Sequence, residues 1–412
     1  DLTEGADLAF SQEPRTAYIG FDPTASSLHV GSLLPIMGLV HLQRAGHIPI
    51  GVVGGGTGLI GDPSGKTQER QLLTKEMAAE NLAGIRGQLE HFLDFEVAGN
   101  PARMVNNLDW LGDLRTLDFL RDVGKHFSVN ALLRKESVRR RLEEEDEGIS
   151  FTEFSYVLMQ AYDFLVLHDR YDCTFQMGGS DQWGNITAGI DLIRRMRGEK
   201  AYGVVFPLVT STSGVKFGKT EAGTVWLDGE RTSPYRFYQF WLNTEDADAI
   251  SYLKFFTLMD SDGVEELAAA LAERPHERPA QRALAEDVTR RVHGETGLAR
   301  AQQATQVLFG GALEGLTGEE VADIFSDVPS SERPRHDLEG EGVGILDFLS
   351  ESGMASSKGD ARRSIQGGGV YLNNIRIESP EKKVTLSDIL EGGFLVVRKG
   401  KKNYHLTKVV GI

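Results

Sequence analysis

Two short segments far apart in the chain carry residue types that together can grip phosphate. The first is Tyr18-Ile19-Gly20-Phe21-Asp22-Pro23-Thr24, continuing through Ala25-Ser26-Ser27-Leu28 into His29-Val30-Gly31-Ser32. An apolar strand passes through a turn into a helix start, where unpaired backbone N–H groups and the positive helix end favour anions. There His29 can donate to a phosphate oxygen as charge builds up, and Gly31 lets a nucleotide approach the backbone closely. The hydroxyl of Ser32 can donate beside them. The second segment is Lys216-Phe217-Gly218-Lys219-Thr220, after the loop Thr210-Ser211-Thr212-Ser213-Gly214. Two ammonium groups three residues apart around a glycine read as a phosphate clamp. A histidine at a helix start is by itself more often a cap, and basic surface loops are common. The two segments together point to a site that holds a triphosphate from both sides.

Three further clusters could complete such a site. Tyr156, Gln160 and Asp163 fall at i, i+4 and i+7, one face of a helix. Such a stripe is not ordinary core, because a buried carboxylate without partners is costly. Gly178-Gly179-Ser180-Asp181-Gln182 joins a strand to a helix, where Gly179 can let a nucleoside lie on the backbone and Asp181 can accept from a ribose hydroxyl. The stretch from Gly54 to Thr67 contains two decoys. Gly56-x-Gly58-x-x-Gly61 matches a dinucleotide fingerprint, but Asp62-Pro63 stands where a helix must open. Gly65-Lys66-Thr67 resembles the end of a P-loop, but Ile60 occupies the position of its first glycine. What remains is a mobile glycine-rich loop carrying Lys66 and Arg70.

The patterning around these clusters predicts the elements that position them. Residues 15–20 read as a strand, 28–44 as a helix ending at Gly46, and 48–53 as a buried parallel strand. Residues 151–168 read as a long amphipathic helix, 172–177 as a strand, 182–196 as a helix and 202–209 as a strand. This alternation predicts an α/β domain with a parallel sheet over residues 1–225. Helical patterning predicts an α-helical domain over 226–326. Polar, proline-containing residues 327–342 read as a linker, and 343–412 as a small α+β domain in which 353–369 forms a helix and 370–377 a strand.

The 412 residues exceed one compact core. No apolar run is long enough to span a membrane, and nothing at the start reads as a signal peptide. The first residue is Asp1, so a preceding segment is expected. The single Cys173 permits neither an intrachain disulfide nor a cysteine cage for zinc, and a cytoplasmic location is the expectation. The net charge of −16 argues at first against a nucleic-acid partner. Its distribution reverses that reading, because residues 343–412 carry eleven Lys and Arg against seven Asp and Glu.

The two phosphate segments resemble the signature motifs of class I aminoacyl-tRNA synthetases, and the flanking residues resemble the bacterial tyrosyl-tRNA synthetase family over essentially the whole chain. The resemblance implies a Rossmann-like catalytic domain, a helical domain and an RNA-binding domain. It implies activation of tyrosine with ATP, giving tyrosyl-adenylate and pyrophosphate, then transfer of tyrosyl to tRNA(Tyr). It implies a catalytic set of Thr24, His29, Ser32, Lys66, Arg70, Lys216, Lys219 and Thr220. Ser32 stands where the family usually has a second histidine. Tyrosine would contact Tyr18, Asp62, Tyr156, Gln160, Asp163 and Gln182; ATP would contact Gly20, Asp22, Gly31, Gly179 and Asp181. Arg194, Arg195, Ser357, Lys358, Arg362, Arg363, Lys401 and Lys402 would contact tRNA. Mg2+ would travel with ATP as part of the substrate, with no other cofactor and no protein metal site, and the chain would pair as a homodimer. A tryptophanyl-tRNA synthetase, another nucleotidyltransferase and a non-catalytic RNA-binding paralogue stay open as rivals. Tyr18 with Asp163, and the basic tail, weigh against the first two; the two lysines of the second segment weigh against the third.

Overall fold

Five short segments form one sheet in the order β3-β2-β1-β4-β5. They are β1 (Thr16–Phe21), β2 (Ile48–Val53), β3 (Arg103–Asn106), β4 (Cys173–Gly179) and β5 (Tyr202–Phe206), and every neighbouring pair is parallel. The computed structural model describes residues 1–62, 74–135, 138–139, 142, 149–210, 212, 217–220, 223–326, 328–400 and 403–411, with backbone only at 75, 219 and 220. Strands such as Ala17-Tyr18-Ile19 and Val52-Val53 are buried because helices cover the sheet. The strand order reverses between β1 and β4, so the loops leaving their carboxyl ends diverge and open a crevice.

Local signals set the flanking helices. The Phe151–Tyr171 helix starts in a capping box, in which Glu153 N–H donates to Ser150 Oγ and Ser150 N–H to Glu153 Oε2. The Trp183–Arg197 helix stops at Gly198, whose φ of 72° suits glycine and whose N–H reaches Arg194 O. The helix expected from residue 28 begins later, as a 3-10 turn Val30–Ser32 leading into Leu33–Arg44. Tertiary pairing takes the earlier residues: Leu227 N–H donates to Leu28 O and Val30 N–H to Val225 O.

The described residues divide into two compact units, 1–228 with 245–273, and 229–244 with 274–412. The helical stretch expected as one domain is therefore shared between them. Asp246–Phe256 packs on Leu33–Arg44 in the first unit, and Pro234–Leu242 packs on Pro279–Val307 in the second. In the second unit a sheet orders Ile375–Arg376, Val370–Leu372, Phe394–Lys399, Asn403–Val410 and Ser330–Pro334. The last strand corrects the linker expectation, because residues 330–334 pair in parallel with Asn403–Val410. The strand expected over 370–377 is a hairpin, turned by Asn373 and Asn374 at φ 50° and 60°. Tyr235, Val307, Leu316 and Phe325 share one core with Val396, Tyr404 and Leu406, so the helices and the sheet of this unit bury each other. No helix among the described residues is long and apolar enough to cross a membrane.

Candidate active site

The crevice at the β1/β4 switch takes in about 710 Å³, counting its open mouth. Tyr18, Asp62, Tyr156, Gln160, Asp163 and Gln182 all line it, with Gly20, Asp22 and Gly179. The Phe151–Tyr171 helix supplies three of these on its sheet-facing stripe, as the spacing predicts. At the dry end Asp163, only 4 % exposed, accepts from Asn107 Nδ2 at 2.9 Å and Trp110 Nε1 at 2.7 Å. Burial nevertheless pushes its carboxyl up to about 7, against the pull of those two donors, and Asp22 adds to the rise. The Tyr18 hydroxyl is buried with no hydrogen-bond partner among the described residues. Burial, with the Asp163 charge, holds that phenol well above its usual range. A buried hydroxyl without a partner beside a buried carboxylate is expensive unless a ligand completes it.

The middle of the crevice is a network of amides and carboxylates. Gln182 Nε2 donates to Asp62 Oδ2 at 2.8 Å, Gln160 Nε2 to Gln182 Oε1 at 3.2 Å, and Asn185 Nδ2 to Gln160 Oε1 at 2.9 Å. Tyr156 OH donates to Asp22 Oδ2 at 3.2 Å, and Thr57 Oγ1 to Asp22 Oδ1 at 3.2 Å. Carboxylates and amide oxygens gathered at one place suit an ammonium group. Asp181, next along the chain to the lining residue Gln182 but not itself lining the crevice, is held above its usual carboxyl range by burial and by Asp62. A Cβ on Gly179 would stand 2.5 Å from Asp181 Oδ1, so a side chain there would push that carboxylate aside.

The turn at His29 and the backbone at Gly218 meet. His29 pairs as a β-bridge with Trp226, and Val225 N–H donates to Gly218 O. Gly218, at φ 78°, packs so closely that a Cβ would come 2.8 Å from Val30 Cγ2. His29 is exposed and caps the turn by accepting from Gly31 N–H at its Nδ1, 3.0 Å away. Thr24 is exposed at the turn after β1, and Ser32 starts the Leu33–Arg44 helix. Lys66, Arg70, Lys216, Lys401 and Lys402, and the side chains of Lys219 and Thr220, lie outside the described residues. The glycine stretch differs from the loose loop expected, since residues 54–58 are buried. A Cβ on Gly55 would stand 2.2 Å from Asn106 Oδ1, and one on Gly54 2.5 Å from Asp22 Oδ1. Here glycine serves tight packing of the β2 exit against β1 and β3.

The cations expected to meet RNA are spread over both units. Arg194 and Arg195 both pair with Asp191, at 2.6 Å each. Lys358 pairs with Asp347, and Arg362 with Glu381 at 3.4 Å. Ser357 caps the Lys358–Gln366 helix by accepting from Asp360 N–H, and Arg363 is exposed on it. Exposed pairs of this kind contribute little to stability and can be exchanged for phosphate contacts. Among the described residues no group of three His, Cys, Asp or Glu could hold a metal ion. The sequence reading missed Asn107, Trp110, Thr57, Gln176 and Asn185. Only the polar pair Asn106-Asn107 after an apolar Met104-Val105 hinted at the β3 exit.

The parallel sheet, the crevice at its switch point and the two segments paired beside it all fall within the part of the chain that a class I tRNA synthetase family model matches. The profile of tRNA synthetases class I (W and Y) matches residues 11–310, and that of the tyrosine–tRNA ligase SYY-like C-terminal domain matches 320–407. A tyrosine–tRNA ligase of Roseiflexus castenholzii is 56% identical over 410 residues, covering 100% of this chain and 96% of that protein. One of Bacillus caldotenax is 52% identical over 406 residues, covering 98% and 95%. The C-terminally truncated Aspergillus nidulans mitochondrial tyrosyl-tRNA synthetase superposes with a TM-score of 0.66 at 28% identity, covering 73% of this chain and 88% of that one. The chain belongs to the tyrosine–tRNA ligase family of class I aminoacyl-tRNA synthetases.

Proposed function

We propose that this chain ligates tyrosine to tRNA(Tyr) in two steps within the crevice described. Tyrosine enters ring first, so that its phenolic hydroxyl meets Tyr18 and Asp163 while its ammonium meets Asp62, Tyr156, Gln160 and Gln182. ATP lies across Gly20, Asp22, Gly31, Gly179 and Asp181, bringing its bound Mg2+. The carboxylate of tyrosine attacks the α-phosphorus in line; the P–O bond to pyrophosphate breaks, and tyrosyl-adenylate forms. The nucleophile is already an anion, so no general base is required. Positioning and charge stabilisation supply the rate, from Thr24, His29, Ser32, Lys66, Arg70, Lys216, Lys219 and Thr220. The terminal ribose hydroxyl of tRNA then attacks the adenylate carbonyl and releases AMP.

The observation that carries this reading is the buried Tyr18 hydroxyl, without a partner among the described residues, beside the buried Asp163 carboxylate: a receptor for one hydroxyl at the dry end of the crevice. Arg194, Arg195, Ser357, Lys358, Arg362, Arg363, Lys401 and Lys402 meet the tRNA backbone, the tail acting as an RNA-binding domain. A homodimer is favoured by the exposure of Leu117 (80 %), Leu120, Val129 and Leu133 within one stretch. A cytoplasmic location fits such an enzyme. The test is ATP–pyrophosphate exchange run with each of the twenty amino acids, followed by charging of tRNA(Tyr). Exchange with tyrosine and charging of tRNA(Tyr) are expected; exchange with tryptophan in preference to tyrosine, or none with any amino acid, refutes the reading.

A further inference from the structure

A helix leaves its last carbonyls without partners of its own, and the Pro279–Val307 helix finds some of those partners far along the chain. Asn374 Nδ2 donates to Val307 O and to Gly311 O just beyond, at 2.9 Å each. Val307 O takes the Tyr404 hydroxyl as well, at 3.1 Å. Asn374 stands at the turn between Val370–Leu372 and Ile375–Arg376, at φ 60°, so the turn residue of a hairpin closes the end of a helix. Arg398 fixes which way the Asn374 amide points. Its Nε donates to Asn374 Oδ1 at 3.0 Å. A guanidinium only donates, so the amide oxygen faces Arg398 and Nδ2 is left for the carbonyls.

Arg398 is itself locked in place. It is 8 % exposed, lies 3.7 Å over the Tyr371 ring and donates from Nη1 to Gly400 O at 2.8 Å. Its guanidinium reaches Gly310, where a Cβ would stand 3.3 Å from Nη2, so a buried cation meets the negative end of the helix. The apolar core shared by helices and sheet keeps them attached, but apolar burial is non-directional. Asn374, Arg398 and Tyr404 add directional contacts to it. The cations expected to meet RNA ride on the same sheet. Ala361 and Ile365, on the Lys358–Gln366 helix that carries Arg362 and Arg363, share one core with Val370, Leu372 and Val397. Lys399 Nζ also pairs with Asp360 of that helix at 3.0 Å.

We propose that Asn374, oriented by Arg398, is a positioning residue for tRNA charging: it clasps the end of the Pro279–Val307 helix and so holds the sheet, and the Lys358–Gln366 helix packed on it, in one orientation. This rests on the reading that Arg362 and Arg363 meet tRNA. A rigid RNA that must meet several groups at once binds best when those groups are already in register. The Asn374 amide is taken up by Arg398 and the two carbonyls and carries no charge, so it acts on productive tRNA binding and not on tyrosine activation.

The experiment measures charging of tRNA(Tyr), its salt dependence and tyrosine-dependent pyrophosphate exchange, with a thermal midpoint for each variant. The variants of the full chain are Asn374→Gly, Tyr404→Phe, Arg362→Glu/Arg363→Glu, and Asn374→Gly combined with the charge reversals. Glycine keeps the left-handed backbone at the turn and removes only the amide. Asn374→Gly should raise KM for tRNA about tenfold, the scale of one or two lost hydrogen bonds, and leave exchange unchanged. Tyr404→Phe keeps its ring in the core and loses one bond, so its rise should be smaller. Cations held out of register release fewer counterions, so Asn374→Gly should flatten the salt dependence although it removes no charge. It should cost little more in the Arg362→Glu/Arg363→Glu background. The proposal is overturned by a normal KM for tRNA in Asn374→Gly, by an unchanged salt slope, by full additivity with the charge reversals, or by equal losses of exchange and charging. Normal charging by Arg362→Glu/Arg363→Glu would instead remove the reading of the tail on which the proposal rests, and the proposal with it.

Discussion

At the scale of single residues, the dry end of the crevice is governed by one carboxyl held between opposing influences. Asn107 and Trp110 donate to both oxygens of Asp163, yet burial holds its proton up to about pH 7. The folded chain therefore keeps a proton that the unfolded chain has already lost between about pH 4 and pH 7. Over that window the Asp163 contribution to stability must fall as pH rises, and level off above it. Thermal midpoints of the intact chain and of Asp163→Asn, taken from pH 5 to 8, should show the intact chain losing ground to the variant up to about pH 7. Parallel curves would show that the carboxyl is ionised throughout. Trp110→Phe removes the shorter of the two donors, so it should weaken tyrosine binding about tenfold, from a net hydrogen-bond loss near 1.5 kcal/mol, readable as a rise in Kd with the exchange rate at saturation preserved.

At the scale of elements, four strands lead into the site, and the sequence disclosed them unequally. β1, β2 and β4 are apolar runs between turn signals, and the stripe Tyr156, Gln160 and Asp163 declares its helix face; these are local properties that any reader of the chain can see. β3 is only four residues with two apolar ones, and it is fixed by pairing with β2, so Asn107 and Trp110 at its exit stayed hidden. Ser330–Pro334 carries no apolar alternation, which is tolerable at a sheet edge, and so it read as linker. The Asp246–Phe256 helix was legible as a helix, but periodicity says that a face is buried and not which core buries it. The β2 exit gives a direct check on packing. Gly55→Ala would thrust a methyl 2.2 Å from Asn106 Oδ1, costing about 1–3 kcal/mol as overpacking does and displacing Asn107. A lowered denaturation midpoint with weaker tyrosine binding is expected; an unchanged midpoint would show that the turn yields freely.

At the scale of the molecule, activation is assigned to the first unit and RNA contact to both, and the core shared within the second unit alters what truncation does. A chain ending at residue 326 keeps every residue assigned to adenylation but loses Val396, Tyr404 and Leu406, which cover Val307, Leu316 and Phe325. It should retain tyrosine-dependent pyrophosphate exchange, charge tRNA very poorly, and aggregate more readily than the whole chain because an apolar face is bared. Undiminished charging would separate the tail from tRNA recognition. The central claim is that this scaffold chooses its amino acid by one phenolic hydroxyl, received by Tyr18 and Asp163. Its most direct measurement is the ratio of kcat/KM for tyrosine over phenylalanine in pyrophosphate exchange, for the intact chain and for Tyr18→Phe. The substitution removes a buried hydroxyl that has no partner among the described residues and keeps the ring beside Phe164, so the fold should lose no stability. The predicted result is a strong preference for tyrosine in the intact chain, reduced about 10- to 100-fold in the variant; an unchanged ratio at an unchanged thermal midpoint would contradict the account.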